Sequence, residues 1–196
     1  MSNKQSKEFT GAGVLLYDYH PVTKELVFLL GREYRPNELI VGINASSSKF
    51  LQNDTRKNRH NTFSEFGGHA DVGEDPGLTA IRELGEESMG MIEFPGVKNV
   101  PMESYRFRDF PISYYIFLAR YSYSDEIVKN FNDAFEKAKK DNLVPVHPNG
   151  LYEKSELRWF TVPEIINEEN NIRKPFYSNL LQIIKIRFSD SLFTKK

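Results

Sequence analysis

The 196-residue chain is 39% hydrophobic and 13% aromatic, enough to bury one core and short for two, so a single domain spanning residues 1–196 is expected. Its 26 basic and 27 acidic residues leave a formal charge of -1, which excludes holding long nucleic acid by net positive field and makes any phosphate contact local. Cysteine is absent, which removes disulfides, zinc–thiolate sites and thiol nucleophiles, and no apolar run approaches the ~20 residues of a membrane span or resembles a leader, so a soluble cytoplasmic protein without membrane association is expected.

In chain order, Thr10 to Tyr17 and Leu26 to Arg32 are short apolar runs separated by His20-Pro21 and Thr23-Lys24, and read as two strands of a hairpin-like pair. From Glu33 to Asn61 the pattern dissolves into polar residues, too many for an ordinary connection, with Leu39 to Val41 as a candidate extra strand. Phe66 to Glu74 reads as a glycine-rich loop. The segment Asp75 to Met89 then carries helical spacing, with Ala80, Ile81, Leu84 and Ser88 on one arc, Pro76 in the first turn and Gly90 at the end. A strand is predicted over Ile112 to Tyr121, an amphipathic helix over Ser124 to Asp141 and a strand over Leu157 to Val162. A short helix from Pro163 to Asn167 and a C-terminal helix from Pro175 to Phe188 follow. Tyr105 and Phe107 alternate with Arg106 and Arg108, as base-stacking platforms do, although strand packing accounts for the same pattern. Strands alternating with helices indicate a layered α/β domain.

On the helix after Pro76, Glu83, Glu86 and Glu87 project within an arc of about 100°. Like charges three and four apart destabilise a helix by roughly 0.2–0.5 kcal/mol per pair unless a cation sits against them. A hard divalent ion with oxygen ligands is the natural complement. An acidic face on a surface helix is the ordinary reading of such a cluster. The stretch Phe66 to Glu74 argues otherwise, because its glycines let backbone approach a ligand closely and the Gly68 carbonyl could reach a metal.

Gly68, Glu74 and Arg82-Glu83-Leu84-Gly85-Glu86-Glu87 resemble the Nudix box, which runs glycine, five residues, glutamate, seven residues, Arg-Glu, an apolar residue, any residue, Glu-Glu, any residue, glycine and an apolar residue. Every charged position matches. Met89 stands where that family has glycine and Gly90 where it has an apolar residue, which reads as a helix cap displaced by one residue. Leu29 to Arg32 resembles the end of the family's opening hairpin, and Glu156 to Phe160 with Pro163-Glu164-Ile165 resembles its late strand and following helix. Two insertions, at about 33–61 and 122–152, fall outside the likeness. The resemblance implies an α/β/α sandwich with a mixed β-sheet and Mg²⁺- or Mn²⁺-dependent hydrolysis of a diphosphate bond. It carries over Glu83, Glu86, Glu87 and the Gly68 carbonyl as metal ligands, and Arg82 with Glu74 as the pair fixing helix to loop. Clustered divalent ions generate hydroxide at neutral pH and neutralise the transferring oxygens, and a carboxylate takes the proton. Glu83 or Glu86 is nominated for that task, with Glu153 and Glu156 as outside candidates whose ordinary reading is exposed loop charge.

For substrate binding the candidates are Arg32 and Arg35 after the second strand, Arg56 and Arg59 in the basic stretch ending at His60, and His69 within the glycine loop. The expected partner is a small nucleotide-like substrate, with capped messenger RNA as the alternative; a homodimer is left open. A different class, a non-catalytic nucleotide- or protein-binding module, has no need to keep three repelling carboxylates.

Overall fold

A computed structural model describes residues 9–36, 60–93, 103–109, 112–145 and 150–189. The strands are β1 (Phe9–Tyr19), β2 (Leu26–Glu33), β3 (Phe63–Ser64), β4 (Phe66–His69), β5 (Glu103–Asp109), β6 (Ile112–Arg120) and β7 (Lys154–Thr161). The helices are α1 (Pro76–Glu87), α2 (Asp125–Lys140), α3 (Val162–Asn167) and α4 (Lys174–Arg187), with one 3₁₀ turn at Glu169–Asn171.

All seven strands form one mixed sheet. Its main path runs β3-β2-β1-β6-β5, with β4 pairing β1 and β7 pairing β2. Among the pairings of these described strands with one another, only β1–β6 is parallel. Strand alternation then splits the apolar side chains between two faces. Val14, Leu16, Leu29, Ala119 and Leu157 meet Ala80 and Leu84 of α1 and Phe131 of α2 on one face. Leu15, Phe28, Leu30, Ile116 and Phe160 meet Ile165 of α3 and Phe176, Leu180 and Ile183 of α4 on the other. The result is the α/β/α sandwich with a mixed sheet that the resemblance implied.

Local chemistry sets the element ends. Asp75 caps α1 by accepting from the Leu78 amide at 2.9 Å, and Pro76 occupies the first turn where its missing N–H is harmless. Thr161 and Glu164 form a reciprocal capping box on α3. Although α2 belongs to one of the expected insertions, it packs on the sheet, and its Asn132 carboxamide accepts from Leu157 N at 2.8 Å and donates to Leu157 O at 3.3 Å. That amide satisfies the outer edge of β7. Tyr105 and Phe107 of β5 pack against the α4-side core, so their alternation is that of a strand.

Two expectations need adjusting. Phe66 to His69 is not a loop but strand β4, paired through Gly67↔Gly13 and Gly68↔Ala12. Glycine makes that pairing possible: a Cβ on Gly67 would lie 2.5 Å from the Gly13 α-carbon. The helix cap is not displaced either. Met89 itself takes a left-handed φ of 54°, with Gly90 following at 72°, so the backbone at Met89 behaves as glycine would. The candidate strand Leu39 to Val41 lies outside the described residues. None of the described helices is long and apolar enough to cross a membrane.

Candidate active site

The face of α1 turned toward β4 carries the site, and Arg82 organises it. Its Nε and Nη2 donate to Glu74 Oε1 and Oε2 at 2.8 and 3.1 Å, and its Nη1 donates to Glu83 Oε1 at 2.9 Å and Glu86 Oε2 at 3.0 Å. Nη2 also donates to the His69 carbonyl at 2.9 Å, tying the helix to the end of β4. A planar guanidinium can serve this many acceptors at once, whereas an ammonium cannot. The Arg82 hydrogen bonds hold the Glu74 carboxyl down at about 2. Glu74 also accepts from Thr79 Oγ1 at 2.8 Å and from the Asp71 amide at 3.0 Å.

The three carboxylates do not share one environment. Glu86 is partly exposed, Glu83 is 8% exposed and Glu87 is 1% exposed. Burial raises the Glu83 pKa against the lowering effect of Arg82, with Glu86 and Glu153 adding to the rise. A Cβ on Gly68 would lie 2.5 Å from Glu83 Oε1, so only glycine leaves that carboxylate its place. The Gly68 carbonyl itself faces the Gly11 backbone; the α-carbon is what meets Glu83.

Glu87 Oε2 accepts from the Gly67 amide at 2.7 Å, which pins β4 to the helix. Its Oε1 is buried without a hydrogen-bond partner, 3.5 Å from Lys154 Nζ. Burial raises the Glu87 pKa well above the carboxylate range, only partly opposed by Lys154. Lys154 is fully buried and donates to Glu33 Oε1 at 2.6 Å and to Ser64 Oγ at 2.7 Å. Burial opposes the charge on Glu33 as well, but Lys154, Arg173 and Arg35 outweigh it and keep Glu33 ionised. Arg173 completes the network by donating to Glu65 Oε1 at 3.1 Å.

Glu153, expected as an exposed loop charge, is 8% exposed. It forms an ion pair with Arg35 and accepts from the Gly150 amide at 2.9 Å. A Cβ on Gly150 would lie 3.0 Å from Glu86 Oε2, so this turn lies against the helix and brings Glu153 into the neighbourhood of the α1 carboxylates. Glu156 faces Arg32 across the β2–β7 ladder at 2.6 Å, and the Arg32 guanidinium lies 4.4 Å from the centre of the Phe63 ring. Arg32 is thus occupied on the sheet. Arg35 and His69 do line a cleft, and Arg35 also donates to Glu33 Oε2 at 3.3 Å. Arg56 and Arg59 lie outside the described residues.

Sequence reasoning missed Lys154, Glu33, Arg173 and Glu65. Glu33 and Lys154 sit at strand ends, Glu65 between two short strands and Arg173 at the N-cap of α4, places where a charged side chain carries no mark of being turned inward. The one available signal was Lys154, a charge at the start of a strand already read from Leu157 onward.

The donor set fits a hard divalent cation, since every candidate ligand is a carboxylate or carbonyl oxygen and Glu87 Oε1 is buried and unbonded. Among the described residues, no three acidic or imidazole side chains already converge on one point, because Arg82 and the Gly67 amide hold the carboxylates apart.

The NUDIX domain family model matches residues 33–180, a stretch that takes in both expected insertions. No curated protein matches the chain. Among solved structures, a Nudix hydrolase from M. smegmatis, RenU, is 13% identical with a TM-score of 0.49, covering 92% of this chain and 88% of that one. A C. elegans Ap4A hydrolase is 18% identical with a TM-score of 0.41, covering 88% and 98%. The NUDIX domain of Shewanella oneidensis NrtR, crystallised with ADP ribose, is 15% identical with a TM-score of 0.41, covering 83% and 78%. With its box residues gathered on Arg82 and a family match over most of its length, the chain belongs to the NUDIX domain family and is a Nudix-type pyrophosphohydrolase.

Proposed function

We propose that the enzyme hydrolyses the diphosphate bond of a nucleoside diphosphate derivative with Mg²⁺ or Mn²⁺ held by Glu83, Glu86 and Glu87. The observation that carries this reading is the convergence of Glu74, Glu83 and Glu86 on one guanidinium, Arg82, directly beside the glycine strand β4. When bound, the divalent ion supplies a polarised water and charge neutralisation on the diphosphate oxygens.

The protein's own groups have separable tasks. Arg82 and Glu74 fix the rotamers of the carboxylates, because a guanidinium fork bonded to three acids leaves them little freedom. One carboxylate of this cluster, Glu83 or Glu86, accepts the proton of the attacking water. Glu153 lies close enough to raise the Glu83 pKa further and stands behind it as a second acceptor. Gly68 keeps a side chain out of the approach to Glu83. Lys154 holds a positive charge behind Glu87 without reaching solvent.

The test is a panel of nucleoside diphosphate sugars, dinucleoside polyphosphates and capped RNA incubated with the full chain and Mg²⁺ or Mn²⁺, with the products identified. Metal-dependent cleavage within the diphosphate of at least one small nucleotide is expected. Capped RNA cut in preference to every small nucleotide would move the assignment to decapping. A wholly intact panel would overturn the hydrolase reading.

A further inference from the structure

Lys154 reaches the box from the start of β7 by passing Gly31 of β2, where a Cβ would come within 2.8 Å of Lys154 Cδ and 3.0 Å of its Cγ. Gly31 pairs with Ser64 on one side and Leu157 on the other. The missing side chain at Gly31 therefore gives the lysine stem its path between β7 and β3, and the ammonium emerges beside Glu87 at the end of α1.

Three acceptors surround that ammonium, and they are not served alike. Lys154 Nζ donates to Glu33 Oε1 at 2.6 Å and to Ser64 Oγ at 2.7 Å, and the Ser64 hydroxyl donates in turn to the same Glu33 oxygen at 2.7 Å. Glu87 Oε1 stands at 3.5 Å, beyond ordinary hydrogen-bond length, and is buried without a partner. An ammonium has three donors, so nothing in its own chemistry stops it from closing on Glu87. What restrains it is the closed triangle with Ser64 and Glu33. Glu33 is itself fixed, with Arg173 Nη1 3.6 Å from Oε1 and Arg35 Nε donating to Oε2 at 3.3 Å. The gap matters at the box: an oxygen bonded to an ammonium sets a positive charge against any ion it would bind, whereas an unbonded one is free for a hard cation.

We propose that Glu33 and Ser64 are positioning residues for metal binding, holding Lys154 off Glu87 and so keeping Glu87 Oε1 open to a divalent ion. The inference rests on the metal-dependent reading for the ion and on geometry for the standoff, and the two are measured separately. Without metal the reporter is the Gly67 amide, which donates to the other Glu87 oxygen at 2.7 Å. With metal it is the binding of Mn²⁺ by the full chain, followed by electron paramagnetic resonance in the absence of substrate.

In EDTA, Glu33→Met should let Lys154 close on Glu87 and shift the ¹⁵N-labelled Gly67 amide, and adding Lys154→Met should return it toward its wild-type position. Glu33→Met should bind Mn²⁺ about 10-fold more weakly than wild type, and the double variant should recover most of that loss. A role for Glu33 only in the fold, or only in holding Arg35 and Arg173, predicts no recovery, because removing Lys154 restores none of those contacts. Ser64→Ala keeps both charges and should lose about 2- to 5-fold in Mn²⁺ affinity, again recovered with Lys154→Met. It carries the test if Glu33→Met lacks native amide dispersion. An unmoved Gly67 amide, wild-type Mn²⁺ affinity in these variants, or a loss that Lys154→Met does not reverse overturns the standoff. Gly67 shifts in a protein whose wild type binds no Mn²⁺ would sink the metal-dependent reading and leave the standoff in place; Mn²⁺ binding indifferent to Glu33 and Ser64 would do the reverse.

Discussion

Lys154 Nζ lies 2.6 Å from Glu33 Oε1 with both side chains sealed from solvent, and the same ammonium faces Glu87 Oε1 at 3.5 Å. One lysine thus joins the end of β2 to the last glutamate of the box. Removing one partner of a buried pair leaves an uncompensated charge, so Lys154→Met should cost roughly 3–5 kcal/mol in urea unfolding. Adding Glu33→Gln should return part of that loss. A single variant within about 1 kcal/mol of wild type would mean that the pair is not sealed as described.

Glu86 and Glu87 should separate when each is changed to glutamine. Both variants are expected to lose at least about 100-fold in Mg²⁺-dependent turnover, as the loss of a positioned acidic group does. Their stabilities should differ. Glu86 is partly exposed, and its variant should unfold within about 0.5 kcal/mol of wild type. Burial raises the Glu87 pKa, so the native state favours its protonated form, and stability is lost as pH rises from the ordinary carboxylate range toward the raised value. Glutamine never ionises. The metal-free Glu87→Gln protein should therefore gain thermal midpoint relative to wild type between about pH 5 and pH 8, and a gain that shrinks over that range would contradict the assignment.

Glu74 titrates in the opposite sense. Its carboxyl is depressed from 4.5 to about 2 by Arg82, so its stabilising effect is complete above the unfolded value near 4.5 and is lost as pH falls toward 2. Wild type should exceed Glu74→Gln in thermal midpoint by a constant margin from pH 7 to about pH 5. The margin should narrow in scans taken between about pH 4.5 and pH 3.

The two adjacent glycines of β4 make contrasting predictions. A Cβ on Gly68 meets the far end of a side chain, Glu83 Oε1 at 2.5 Å, which can move aside at the expense of catalytic geometry. A Cβ on Gly67 meets backbone, the Gly13 α-carbon at 2.5 Å, and the sheet cannot yield cheaply. Gly68→Ala should lose at least about ten-fold in kcat/KM with a small change in stability, whereas Gly67→Ala should be destabilised by about 1–3 kcal/mol. Calorimetry and steady-state kinetics on the two variants check both halves.

The sequence by itself determined the helix of the box, the spacing of Glu74, Arg82, Glu83, Glu86 and Glu87, and the layered α/β class, because these depend on periodicities of 3.6 and 2 and on a local motif. It also located the long strands and α2, whose apolar spacing is unambiguous. Only the tertiary structure decided that Phe66 to His69 is a strand, since four residues with two central glycines carry no strand signal until β1 lies alongside them. Only packing made Glu87 a buried anchor and left Glu86 partly exposed, a difference that a helical wheel cannot assign when both lie on one arc. The chain likewise gave no sign that Glu33, Glu65, Lys154 and Arg173 would meet beneath the sheet. Charges far apart in sequence become a network only when strands bring them out of water together, and it is the low-dielectric surroundings, not their identity, that give them their effect.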